Sequence, residues 1–297
     1  MELGIIGLGR MGYNMALRLK EGDHKIVAFN RTKEKVDEIA KKGVTPAYSL
    51  KELAEKLEKP RIVWLMVPHK VVDSMLEELE SVLEKGDIIV DGGNSNFNET
   101  VKRGEEMEKK GFIYMDAGVS GGTAAAKTGY CIMVGGNKEA YKKMVPALKS
   151  MATTNGYEYI GPRGSGHYVK MVHNAIEYGI MEAMGEGFHL LEKGPYKDLN
   201  MLKIARLWNN GSIIRSFLME MAVNAFEHHP ELKDVPGHID DTGEGRWAVE
   251  TAMKHSVPFT VNTQALFSRY RSREKETLSN KLVAALRDEF GGHGFKK

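Results

Sequence analysis

The sequence predicts an α/β chain in two parts: an N-terminal doubly wound parallel sheet and a C-terminal all-helical domain. Three observations predict it. Over the first 160 residues, short apolar runs alternate with amphipathic helical stretches, the pattern of a parallel sheet covered on both faces by helices. The first run leads straight into GLGRMG at 7–12, a glycine-rich turn that opens a helix. After the Gly/Pro-rich GPRGSG at 161–166 no convincing strand pattern follows, only helical ones. That stretch sets the expected boundary, with a Rossmann-type nucleotide-binding domain over 1–163 and a helical domain over 164–297.

Seven runs read as strands: 3–7, 25–29, 61–67, 87–93, 112–118, 129–136 and 156–161. Helices between them carry start signals. Ser49 with Glu52 forms a capping box, and Asn137 is an N-cap. In the second part, helices are expected over 167–193, 196–210, 212–228, 245–255 and 276–290, with a loop over 228–245. Hydrophobic residues make up 42% and charged residues 28%, a soluble globular composition. A net charge of +2 gives no global field calling for nucleic acid or a membrane surface. With no charged lead-in and no long apolar segment, a cytoplasmic chain is expected. The single cysteine, Cys131, excludes an intramolecular disulfide and a cysteine-cluster metal site, and its strand-like run makes it a buried, inert thiol. The histidines show no paired ligand spacing, so no metal is expected. Met181, Met184, Met219 and Met221 read as core filler.

In GLGRMG, Gly7 permits the tight turn, Gly9 lets backbone approach a pyrophosphate, and Gly12 lets helix and strand pack closely. Leu8, Arg10 and Met11 supply the rest of a loop whose free N–H groups and helix dipole favour an anion. The second strand ends in Asn30, Arg31 and Thr32 with no carboxylate to bond a ribose 2′-hydroxyl. A guanidinium there suits a 2′-phosphate, so NADP is expected, with NAD the second choice. Arg31 also reads as a solvated charge, and Thr32 as the cap of the next helix. Val67 in MVP, Asn94 in DGGNS, and Ser120, Gly121 and Gly122 in DAGVSGG follow other strands, where glycines and small polar groups can meet a ligand closely.

KMVHNAIEYG at 170–179 carries the chemistry. Lys170, His173, Asn174, Glu177 and Tyr178 stand at offsets 0, 3, 4, 7 and 8, the spacing of one helix face. The other positions are apolar or small, so the polar face is expected to border a wet cavity. A salt-bridged helix face is the plain alternative.

Taken in order, GLGRMG, FNRT, DGGNS, VSGG and KMVHNAIEYG resemble 6-phosphogluconate dehydrogenase, the decarboxylating family of the pentose phosphate pathway, within the β-hydroxyacid dehydrogenase superfamily. The tail RDEFGGHGF at 287–295 is similar to the family's C-terminal segment. The usual member is longer, and this chain resembles the short form. The resemblance implies oxidative decarboxylation of 6-phosphogluconate. Lys170 is then the base and Glu177 the acid, while His173 and Asn174 hold hydroxyls or the carboxylate. A lysine base near neutral pH requires burial or neighbouring cations. Asn94, Ser120, Gly121 and Gly122 would face the substrate carboxylate and C3 hydroxyl, Asn94 serving both cofactor and substrate; Tyr178, Arg269, Arg287 and His293 would neutralise its phosphate and carboxylate. The family's tail reaches a neighbouring subunit's site, which implies a homodimer or homotetramer. At the family's GTGKW element, with a lysine just before it, this chain has Thr242 and, in GRW, Arg246. Arg271 and Arg273 in RYRSR read either as surface charges or as having a role at the site. Two other readings compete: a 3-hydroxyisobutyrate-type dehydrogenase of the same fold, and a non-catalytic NADP-binding sensor.

Overall fold

The computed structural model describes residues 1–274. The chain divides into two compact units, Met1–His173 and Asn174–Lys297. The first is a sheet packed with helices. In chain order it runs β1 (Glu2–Ile6), α1 (Arg10–Glu21), β2 (Lys25–Phe29), α2 (Lys33–Ala40), β3 (Thr45–Ala47), α3 (Leu50–Glu55), β4 (Ile62–Leu65), α4 (Val72–Glu80), β5 (Ile88–Asp91) and α5 (Phe97–Lys109). It continues with β6 (Ile113–Ser120), α6 (Ala125–Thr128), β7 (Tyr130–Gly135), α7 (Lys138–Met151) and β8 (Ala152–Gly161). Helix α8 (Ser165–Lys193) starts in the first unit and continues into the second.

The strand order is β3-β2-β1-β4-β5-β6-β7-β8. All neighbours pair in parallel except β6 and β7. The sheet is thus the expected parallel one apart from β7. A parallel neighbour needs a long crossover, and the short connection through α6 returns the chain antiparallel instead. The order reverses at β1 and β4, the switch point where such sheets bind ligands beyond the strands' carboxyl ends.

Both faces of the sheet are covered, as continuous apolar strands require. Met15, Ala16 and Leu19 of α1, Val36 and Ile39 of α2, and Ala140, Met144 and Leu148 of α7 cover one face. Leu53 and Ala54 of α3, Met75, Leu76 and Leu79 of α4, and Met107 of α5 cover the other. The capping signals act as read. Ser49 accepts from the Glu52 N–H at 3.0 Å, and Asn137 from the Glu139 and Ala140 N–H groups. Thr32 does stand at the N-cap of α2, but its hydroxyl makes no cap bond. Cys131 is exposed, correcting its reading as buried: it is the one exposed residue of β7.

The second unit is helical. After α8 come α9 (Met201–Asn209), α10 (Phe217–His228), α11 (Glu244–Lys254) and α12 (Thr260–Arg271). Phe188 of α8 packs on Trp208 and Phe226, with ring centroids 5.5 and 5.1 Å apart, which ties α8 to α9 and α10. Ala248 and Ala252 of α11 and Ala265 and Leu266 of α12 are buried. Helix α12 was not expected, because its apolar residues make only a weak stripe. The helix expected over 276–290 lies outside the described residues. Among the described residues, no helix is long and apolar enough to cross a membrane.

Candidate active site

The glycine turn between β1 and α1 is shaped for an anion. Gly7 adopts φ +99°, and a Cβ at Gly12 would run into the Gly7 carbonyl. A Cβ at Gly9 would meet nothing within 4 Å, so a phosphate can approach the backbone there. Leu8, Gly9, Arg10 and Thr123 border a cavity of about 240 Å³, together with Tyr13, Asn14, Lys35 and Glu38. Met11 stands in the first turn of α1 and is partly exposed. The residues present thus fit a dinucleotide. At the end of β2, Asn30 is occupied by local structure: its Oδ1 accepts from the Leu8 N–H at 2.9 Å and its Nδ2 donates to the Thr32 carbonyl at 3.2 Å. Arg31 and Thr32 are exposed.

Two aspartates paired in register, Asp91 at the end of β5 and Asp116 midway along β6, lie wholly buried. Asp91 shapes the DGGNS turn. Its Oδ1 accepts from the Gly93 N–H at 2.9 Å, and its Oδ2 accepts from the Ser95 hydroxyl at 2.7 Å and the Tyr114 hydroxyl at 3.1 Å. Burial, and then Asp91, hold the Tyr114 phenol well above its ordinary pKa, so it stays a donor. Asn94, at the tip of the turn with φ +52°, bridges to β6: it accepts from the Val119 N–H and donates to the Val119 carbonyl. Val67, just past β4, is partly exposed, and Gly121 and Gly122 are exposed.

In the first unit, Lys170 is 5% exposed and its Nζ lies 3.4 Å from His173 Nδ1. His173 Nε2 lies 3.2 Å from Ser120 Oγ. The structure therefore links the VSGG turn to the start of KMVHN, as the sequence could only propose. In the second unit, Asn174 donates its Nδ2 to Glu244 Oε2. Tyr178 has its hydroxyl 3.4 Å from Thr242 Oγ1, and the Arg269 guanidinium lies 3.7 Å from its ring centroid. Arg269 also donates to the Asp240 carbonyl at 2.9 Å. Burial raises the Tyr178 pKa, with the Thr242 hydrogen bond opposing, Glu244 adding to the rise, Arg269 opposing it and Glu177 adding to it. The phenol is thus held neutral, and either hydroxyl of the Tyr178–Thr242 pair can donate. Arg246, Arg271 and Arg273 are exposed, and Arg287 and His293 lie outside the described residues.

Both faces of α8 are partly buried, the apolar one at Met171, Ala175 and Gly179. Lys170 and Asn174 are buried, His173, Glu177 and Tyr178 half-buried, whereas Ile176 and Ile180 are exposed. Sequence reasoning missed Glu244 and Asp116. Glu244 stands at the first position of α11, where a carboxylate favours a helix start, and that was its only local signal.

The model of the NAD binding domain of 6-phosphogluconate dehydrogenase matches residues 2–161, and that of the 6-phosphogluconate dehydrogenase C-terminal domain matches residues 166–277. The chain belongs to the 6-phosphogluconate dehydrogenase family. A Haloferax volcanii relative, named as an NAD(+)-dependent, decarboxylating 6-phosphogluconate dehydrogenase, is 43% identical over 99% of this chain and 98% of its own length. A Bacillus subtilis protein of the same name is 37% identical over 93% of this chain, which spans 62% of it. The Plasmodium falciparum 6-phosphogluconate dehydrogenase, solved with NADP+ and with 6-phosphogluconate, superposes with a TM-score of 0.85 at 31% identity, covering 98% of this chain and 65% of that one. Membership makes the first unit an NAD(P)-binding domain and the chain a member of an oxidoreductase family. The chain thus spans nearly the whole of the Haloferax relative and 62% and 65% of the other two.

Proposed function

We propose that the chain oxidatively decarboxylates 6-phosphogluconate to ribulose 5-phosphate and CO2, using NADP. The observation that carries this reading is the α8 face within a chain of this family: a withdrawn amine, an imidazole, an amide, a carboxylate and a phenol at successive turns. When bound, the nicotinamide supplies the hydride acceptor. Lys170 takes the C3 hydroxyl proton as hydride leaves C3, and its ammonium then polarises the new keto oxygen. The 3-keto acid loses its carboxyl group as CO2. Glu177 delivers a proton to the carbon that becomes C1 of the product. His173, held by Ser120, and Asn174, held by Glu244, orient the hydroxyls. Tyr178 and Arg269, with Arg287 and His293 of the tail, neutralise phosphate and carboxylate.

The choice of NADP is supported at β2, where no carboxylate stands, Asn30 is taken up by Leu8 and Thr32, and Arg31 is exposed beside it. NAD is favoured by a separate observation, the NAD(+)-dependent names of the Haloferax and Bacillus relatives. The test is reduced-cofactor absorbance with 6-phosphogluconate and each cofactor in turn. A kcat/KM ratio of NADP to NAD above one is expected. A ratio below one keeps the reaction and overturns the reading of Arg31. No turnover with either cofactor overturns the proposal itself.

A further inference from the structure

Helix α8 begins without a cap of its own. Its N-cap position is Gly164, which has no side chain, and its first turn holds no acidic residue. A helix start leaves N–H groups unsatisfied, and a buried start needs partners for them. Here one carboxylate from a strand supplies them. Asp116 Oδ1 accepts from the Gly164 N–H at 2.7 Å, and its Oδ2 accepts from the His167 N–H at 2.8 Å. These are the two donors that a capping box satisfies with two local side chains. Asp116 does so from β6, about fifty residues upstream, and is 0% exposed.

The fit around that carboxylate is close on every side. Its partner across β7 is Gly135, where a Cβ would come within 2.6 Å of Asp116 Oδ1 and 2.8 Å of the Gly166 nitrogen. A Cβ on Gly166 would stand 2.9 Å from Asp116 Oδ2. Two residues along β6, a Cβ on Gly118 would collide with the Lys170 Cβ and lie 2.7 Å from the Gly166 carbonyl oxygen. Strand and helix therefore touch backbone to backbone. The cap fixes where α8 starts along its axis, and the Gly118 contact fixes how deep Lys170 sits. From His167 to Lys170 is less than one helical turn, about 4.5 Å of rise. A shift at the cap passes to the lysine with little loss.

A buried carboxylate is costly unless it is paired, and here two charge-assisted hydrogen bonds and the positive end of a long helix offset the cost. An apolar pair could have packed this crossing, but without setting the helix in one register. We infer that Asp116 is a positioning residue: it acts through α8 to hold Lys170 in its reactive place. The inference rests on the proposed base role of Lys170.

The test compares Asp116→Asn, Lys170→Met and the double variant on the full chain. Asparagine keeps the shape but turns one acceptor into a donor facing an N–H. The expected result is a kcat lowered by about 10²-fold, the cost of a misplacement near 1 Å. Cofactor KM should stay within about twofold, and the double variant should be no slower than Lys170→Met alone, because residues acting as one unit are not additive. If Asp116 serves stability only, Asp116→Asn lowers Tm while kcat stays normal, or its loss multiplies with that of Lys170→Met; either overturns the inference. Should Asp116→Asn fail to fold, Gly118→Ala presses on the same lysine and is read by the same three numbers. A loss below about tenfold in Lys170→Met alone sinks the base role and this inference with it. A full loss there beside an unimpaired Asp116→Asn sinks this inference only.

Discussion

At the scale of single residues, the proposed chemistry turns on Lys170. Its side chain is almost sealed from solvent, its Nζ lies beside His173, and its Cβ rests on a glycine. A general base is worth ~10²–10⁴ in rate, so Lys170→Met should lower kcat by that factor while leaving cofactor KM near its original value. Stopped assays at saturating substrate check it. Glu244 makes a second prediction. A carboxylate can only accept, so its bond to Asn174 fixes which end of the amide faces it. Glutamine can donate as well, and Glu244→Gln would free the amide to turn over. Substrate KM should then rise by about tenfold, since hydrogen bonds to charged groups are worth ~1.5–3 kcal/mol, while cofactor KM stays put. Equal rises in both would show a general disturbance and remove Glu244 from this role. These two residues also show what a sequence can reveal. Lys170 was legible because its partners recur at helical spacing within ten residues. Glu244 and Asn174 are 70 residues apart, and no local pattern connects them.

At the scale of elements, most strands were readable because they are short apolar runs bounded by glycine, proline or polar residues, though of β8 (Ala152–Gly161) only the last part was. The exception is β3, only three residues with a proline in the middle, too short to show any period. Strand direction was not readable either. Periodicity reports which residues are buried, not which way the chain returns, so the antiparallel β7 came only with the structure. Buried ion pairs are likewise silent in sequence. Arg61, just before β4, donates to the Asp87 carboxylate at 2.9 Å and to the Ala54 carbonyl at 2.8 Å. Asp87, just before β5, also accepts from the Arg61 and Glu84 N–H groups. One carboxylate therefore fastens the entry to two central strands and the end of α3. Removing Asp87 would leave the buried Arg61 facing the more exposed Glu84 carboxylate, 3.8 Å from its Nη2. Asp87→Ala should cost about 3–5 kcal/mol, read as a lower denaturation midpoint with an unchanged slope. A loss under about 1 kcal/mol, the range of exposed pairs, would mean that solvent reaches Arg61 after all.

At the scale of the whole molecule, the helical unit leaves many large apolar residues in solvent. Ile213 is fully exposed, Leu190 is 71% and Leu207 70% exposed, and Ile176, Ile180 and Phe217 are also more than a third exposed. Single surface hydrophobics are ordinary, but monomers rarely leave so many on one helical unit. On α8 itself, Ile176 and Ile180 stay outside while Met171 and Ala175 are buried. Apolar residues left outside suit a chain that associates with copies of itself, since a self-interface is apolar like a domain core cut in half. The sequence gives the expectation of an oligomer only by resemblance, because an apolar residue in a helix reads the same whether its own chain or another buries it. The expected outcome is a dimer or larger species by sedimentation at micromolar concentration. Ile213→Glu places a charge on the most exposed of these positions. It should shift the distribution toward monomer while circular dichroism keeps the helical content. A wild-type monomer at those concentrations would sink the expectation. An Ile213→Glu variant that associates as the wild type does would move the interface away from that position.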